Sequence, residues 1–302
     1  MNPVLAELTK SDKFNEYLEK LKKEQAPISI LGLAGVGAPQ ILASTEENIK
    51  RPVCLITYNE LQAKKLAEEI RNYINGVFFF PKREILAYDY VAESKELPYE
   101  RIEVLKNIKN GKIKVLVCSI EALLQPIISE AILFKNKIAV KVGETYDLEE
   151  LKRKISMLGY TKTEMIDGKG EFSSRGGILD LSFDDKYGIR IEFWGDEVDS
   201  IRKFDIQTQR SIEMIQEVEI NPLHEYLLEN SLEEVCNKIL NNITEYTENQ
   251  KNNVKEDIEL IKTGEYISKV DKYFKFFYSK KATLLDYITE KYILFLEEPK
   301  KI

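Results

Sequence analysis

The spacing of apolar positions changes period twice along the chain of 302 residues, and each change predicts a different kind of structure. Up to about residue 158, short unbroken apolar runs alternate with amphipathic stretches. ISILGL (28–33), VCLIT (53–57), VFFFP (77–81), KVLVCS (114–119) and KIAVKVG (137–143) read as strands, with the continuous runs buried on both faces. Between them Ala63, Leu66, Ala67, Ile70 and Ile74 share one helical face. That helix opens at Asn59, with Gln62 at the capping-box position, and closes at Gly76. Further helices run through Ile102, Leu105 and Ile108, and over 147–158. Strand–helix alternation through KVLVCS predicts a parallel sheet, whereas KIAVKVG and the helix over 147–158 lead into a second domain.

After Lys162 the period falls to two. Strands are expected over 178–183, 189–194 and 197–204, antiparallel, with turns at 184–188 and Gly195-Asp196. Alternation from Ile189 sends Ile189, Ile191 and Phe193 to one side and Arg190, Glu192 and Trp194 to the other. Gly176-Gly177 permits a bulge or close approach and places Arg175 at the sheet margin. Helical spacing returns over 225–282, through Leu232, Val235, Ile239 and Ile243, then Ile258, Ile261, Ile267, Val270, Phe274 and Phe277. FKFF in that stretch reads as core, and His224, the single histidine, as a surface or capping residue. The expected fold class is α/β: a degenerate parallel-sheet domain with an inserted antiparallel β-rich domain and a small helical domain.

Composition narrows the function classes. With 43% apolar and 31% charged residues, the chain has the make-up of a soluble globular protein of two or three domains. No apolar run approaches the ~20 residues of a membrane span, and MNPVLAELTKSDKF lacks a signal-peptide core. A cytoplasmic location without membrane partners is expected. Cys54, Cys118 and Cys236 are scattered and lack metal-ligand spacing, so neither a metal nor a cofactor is expected. The formal net charge of −7 argues against a dedicated nucleic-acid binder.

Two stretches look like chemistry that has been lost. Gly32, Gly35 and Gly37 have the spacing of a helicase-type phosphate loop, but Ala38 and Pro39 stand where lysine and threonine would hold phosphate and Mg²⁺. Near the C-terminus ILFL ends in Glu297-Glu298, a carboxylate pair at the end of an apolar strand. A common glycine-rich turn and an ordinary last strand explain the same residues. Arg190 and Trp194 on one face suit a protein-binding hot spot. On the residues alone, a second core layer holding Trp194, with Arg190 a solvated charge, is the simpler explanation of the pair.

The runs GEFSSRGGILDL, IRIEFWGDEVDSIRKFD and TQRS resemble domain 2 of bacterial transcription-repair coupling factors and, less closely, domain 2 of UvrB. The resemblance implies a docking surface for UvrA, the damage-recognition subunit of nucleotide excision repair. Arg175, Arg190 and Trp194 would be its contacts, with Lys169 and Glu192 beside them; Trp194 replaces the family's usual phenylalanine. It implies a RecA-like domain 1A over 1–140 plus 283–302, with Glu297-Glu298 as a degenerate Walker B pair. Domain 2 would span 141–221 and helical domain 1B 222–282. By the same resemblance the chain is a non-catalytic N-terminal piece, about a quarter of an ATP-dependent DNA translocase. RNA polymerase and double-stranded DNA would be engaged by domains outside it, and a C-terminal domain would mask the UvrA face at rest. Tyr88-Asp89-Tyr90 is followed by VAESKELPYE, too short and charged for the DNA-clamping hairpin of UvrB. A nucleotide-binding helicase-like piece, or a DNA-binding module using Tyr88 and Tyr90, remains the alternative.

Overall fold

Two runs in which every residue is buried, Val53–Thr57 (β1) and Val115–Ser119 (β3), form the middle of a four-stranded parallel sheet. Val77–Phe80 (β2) flanks β3, and Ile293–Leu296 (β12) flanks β1, giving the order β12-β1-β3-β2. This computed structural model describes residues 2–33, 35–83, 96–227, 231–243, 247–263, 273–278 and 282–302. The parallel sheet belongs to a first unit, made of the described residues up to 127 together with 282–302. The second unit spans the described residues of 128–281.

In the first unit the helix Glu60–Arg71 starts as expected, with Asn59 Oδ1 accepting the Gln62 N–H at 2.8 Å. It buries Ala63, Leu66, Ala67 and Ile70 in a core shared with Leu42, Leu55, Val115 and Val117. The Gln62 side chain leaves the capping box unfinished, because its Nε2 donates instead to Glu297 Oε1 at 2.6 Å. The helix stops at Arg71, five residues before Gly76, and Gly76 leads into β2.

ISILGL is a correction to the sequence reading. These residues form no strand, and Leu31 is 90% exposed. Ile28 and Ile30 pack against a cluster of Phe14, Tyr17 and Leu18, joined by Phe295. With cover on one side only, Ser29 and Leu31 face outward, so the run is a one-sided extended segment.

The second unit carries a six-stranded sheet of Thr161–Lys162 (β5), Glu171–Arg175 (β6), Ile178–Ser182 (β7), Tyr187–Trp194 (β8), Glu197–Asp205 (β9) and Ser211–Ile215 (β10). Its order is β10-β9-β8-β7-β6-β5, antiparallel except between β5 and β6. Ile138–Lys141 (β4) pairs separately with Glu217–Ile220 (β11). Phe172, Leu179, Leu181, Ile191, Val198 and Ile201 are buried along the core face. Helices Leu232–Asn241, Glu248–Thr263 and Phe274–Phe277 bury Val235, Ile239, Ile258, Ile261, Phe274 and Phe277, as their spacing required. Ile267 and Val270 lie outside the described residues, as do Tyr88 and Tyr90.

His224 also departs from expectation. It is buried, its ring lies against Gly159, and its Nδ1 accepts the Tyr226 N–H at 3.1 Å. Burial pulls its pKa down to about 4, so the ring is neutral near pH 7. Among the described residues no helix is long and apolar enough to cross a membrane, and no cluster of His, Cys, Asp and Glu could hold a metal ion. The three cysteines are buried and free.

Candidate functional site

The register of the six-stranded sheet decides which polar side chains share a surface, because residues directly opposite in an antiparallel pair point to the same face. One row across the strands is Arg175, Ile178, Glu192, Ser200. The next is Ser173, Asp180, Arg190, Arg202, Met214. A third is Ser182, Gly188, Phe204, Ser211. Trp194 follows Glu192 by two residues and so lies on the same face, at the end of β8. Arg175, Arg190, Glu192 and Trp194 are thereby brought to one surface, opposite the core face. Lys169 lies at the other end of the strands: its backbone N–H meets Asp185 Oδ1 at 3.0 Å, beside the Gly170–Ser182 contact.

Trp194 is 85% exposed, which removes the reading of a second core layer around it. A smaller second layer does exist on this face, built from Ile166, Phe204 and Ile206. It forms because position 188 is glycine. A Cβ there would come within 2.6 Å of the Phe204 ring and 2.8 Å of Ile166 Cδ1. The open space lets the Phe204 ring lie across β8, and the Arg190 guanidinium sits 4.7 Å above that ring.

Arg190 is therefore no freely solvated charge. Its Nε and Nη2 donate to the two carboxylate oxygens of Asp180 at 2.8 Å each, and Nη2 also reaches Gln209 Oε1 at 3.1 Å. The hydrogen bonds to Asp180 hold its pKa above the usual arginine value. Glu192 accepts from Ser200 Oγ at 2.7 Å and pairs with Arg202. The Ser200 hydrogen bond, with Arg202 beside it, keeps the Glu192 carboxyl below the usual range. Two arginine–carboxylate pairs thus neutralise the middle of the face. Arg175 differs, since among the described residues its guanidinium bonds only the Glu164 carbonyl, at 2.7 Å. It keeps donors for a partner.

Arg175 is placed by the turn that follows it. Phe193 N donates to Gly177 O at 2.7 Å, and a Cβ at position 177 would meet Phe193 O at 2.7 Å. Only glycine allows the β6–β7 turn to close onto β8 in this way.

The phosphate-loop positions lie in the first unit. Gly32 and Gly35 are exposed, and Gly37 begins the helix Gly37–Ile49, with Pro39 buried in its first turn. Neither Ala38 nor Pro39 offers a charge or hydroxyl to a phosphate. At the end of β12 the Glu297 N–H donates to Ile56 O at 2.9 Å, and burial raises the Glu297 carboxyl above the usual range. Glu298 is exposed beside it. Glu60, which opens the helix after β1, accepts from Lys82 N at 3.0 Å and Ser119 Oγ at 3.2 Å, and its carboxyl is likewise raised by burial. These carboxylates make the C-terminal ends of β1 and β12 a poor seat for an anion.

Sequence reasoning missed Asp180, Phe204, Gln209 and Met214. Asp180 carried a usable signal, since the Asp-Leu-Ser alternation of β7 puts it on the polar side. The others depend on register across β9 and β10.

Residues 138–226 match the family described as the UvrB interaction domain, a span that holds the whole six-stranded sheet. Along its full length the chain is similar to transcription-repair-coupling factors. It is 26% identical to that of Bacillus subtilis (strain 168), covering 100% of this chain and 27% of the relative. With that of Staphylococcus haemolyticus (strain JCSC1435) the identity is 28%, over 100% of this chain and 27% of the relative. The chain therefore spans about a quarter of the length of the curated relatives it matches.

Proposed function

We propose that this chain, whose residues 138–226 match the UvrB interaction domain family, is a non-catalytic module that docks UvrA through the face holding Arg175, Arg190 and Trp194. In a longer protein it would bring UvrA to stalled transcription complexes. The observation that carries this reading is the position of Trp194, 85% exposed on the face it shares with Arg175 and Arg190. An indole contributes nothing to its own core there, yet burying its ~150–250 Å² against a partner is worth roughly 4–6 kcal/mol before association costs. Arg175 offers donors to a partner carboxylate, and Arg190, its Nε and Nη2 occupied by Asp180, offers the Nη1 edge. Lys169, at the far end of the strands, would contribute only at the rim, and Glu192 would hold Arg202 in place.

On this reading the first unit is a scaffold whose phosphate loop, ending in Ala38-Pro39, hydrolyses nothing. RNA polymerase and double-stranded DNA would be engaged by segments outside these residues, and a C-terminal segment would cover the UvrA face at rest. The test is calorimetric titration with UvrA of this chain and of Arg175→Ala and Arg190→Ala. Parent binding weakened at least tenfold by either substitution supports the reading, and equal binding by all three contradicts it.

A further inference from the structure

Among the described residues, two large apolar side chains on this face are exposed besides Trp194: Ile178, 38% exposed in the row next to Trp194, and Met214, more exposed and at the far side of the sheet. Met214 lies directly opposite Arg202 in the row that contains Arg190, so it points to the same surface, and it is 63% exposed. Its neighbour Glu213 points the other way, 3.9 Å from Lys203. β10 is one of the two edge strands of the sheet. Exposed apolar residues on an edge are a hazard that charge usually blunts, yet the charge on this strand is turned to the opposite side. Between Trp194 and Met214 the polar groups are paired with each other, Arg190 with Asp180 and Arg202 with Glu192. Such a strip resists non-specific binding and leaves the two apolar ends as the groups that gain by being covered.

We propose that Met214 is a second apolar anchor of the docking face, and that the UvrA surface received there is apolar at both ends of a neutral polar strip. The inference rests on the docking reading above. Two strand spacings and four residues of strand rise put the anchors about 17 Å apart, inside a standard patch of ~800 Å² per partner, some 32 Å across. An unbranched thioether suits this place, since it adapts to a surface that the register does not fix.

The test is titration of UvrA with the parent chain and with Met214→Gln, Glu213→Gln and Trp194→Ala, each checked by thermal melting. Met214→Gln is expected to weaken binding about tenfold and Glu213→Gln to leave it unchanged. Parent-like binding by Met214→Gln, with Trp194→Ala impaired, overturns the second anchor and spares the docking reading. Equal losses at positions 213 and 214 overturn it too, since the effect would belong to the edge strand and not to the face. If Trp194→Ala binds like the parent, or the parent does not bind, the docking reading fails and takes this inference with it.

Discussion

Asp180 grips Arg190 from the neighbouring strand through both carboxylate oxygens, at 2.8 Å each, over the ring of Phe204. The pair is more than three-quarters covered on both sides. Asp180→Ala would leave a largely desolvated guanidinium without its charge partner, with only Gln209 Oε1 still accepting from it, at a cost of about 1–3 kcal/mol of folding stability. The double variant Asp180→Ala with Arg190→Ala is expected to lose less than the sum of the single losses. Urea unfolding of the four proteins measures that coupling, and strict additivity would mean that the pair does not hold the face together.

Gly177→Ala is expected to destabilise the second unit by about 1–3 kcal/mol, because the added methyl meets a backbone carbonyl that cannot step aside. The same variant should weaken UvrA binding, since the turn that positions Arg175 would shift. Gly168→Ala meets nothing within 4 Å of the new methyl and serves as the control.

His224 makes stability depend on pH. Its folded pKa is about 4 against an unfolded value of 6.5, so between those values the unfolded chain holds the extra proton. Stability therefore rises with pH across this window and falls, by about 3 kcal/mol in all, as pH drops from 6.5 toward 4. In His224→Gln this contribution to the slope is expected to vanish. Denaturant unfolding at several pH values compares the two slopes.

The first unit should be indifferent to nucleotide. A ligand at a hundred times its Kd stabilises the folded state by about 2.7 kcal/mol, enough to raise the melting temperature by several degrees. No such rise is expected with millimolar ATP and Mg²⁺, given Ala38 and Pro39 at the loop and carboxylates at the strand ends. A clear rise would revive the helicase-like alternative.

Much of this was legible in the sequence because its signals are local. The continuous runs of β1 and β3, the Asn59 cap and the alternation of β8 each depend on a few adjacent residues. ISILGL misled because a run of apolar residues does not say how many of its sides find cover. β6 and β10 escaped because EFSSR and SIEMI, next to or at the sheet edge, keep few apolar residues on the core side. His224 was misplaced since its burial comes from residues distant in sequence. At the candidate site the arginines and the tryptophan stood out by type. Asp180 was legible on the polar side of β7, but its pairing with Arg190, the partners Gln209 and Phe204, and the exposure of Met214 became visible only with the strand register.

The central claim is that the exposed indole serves a partner. Calorimetric titration of UvrA with the parent chain and with Trp194→Ala tests it most directly, since a side chain this exposed can be removed with little effect on the fold. Parent binding is expected to weaken at least tenfold in the variant, at an unchanged melting temperature. Binding of equal strength by the two proteins would contradict it.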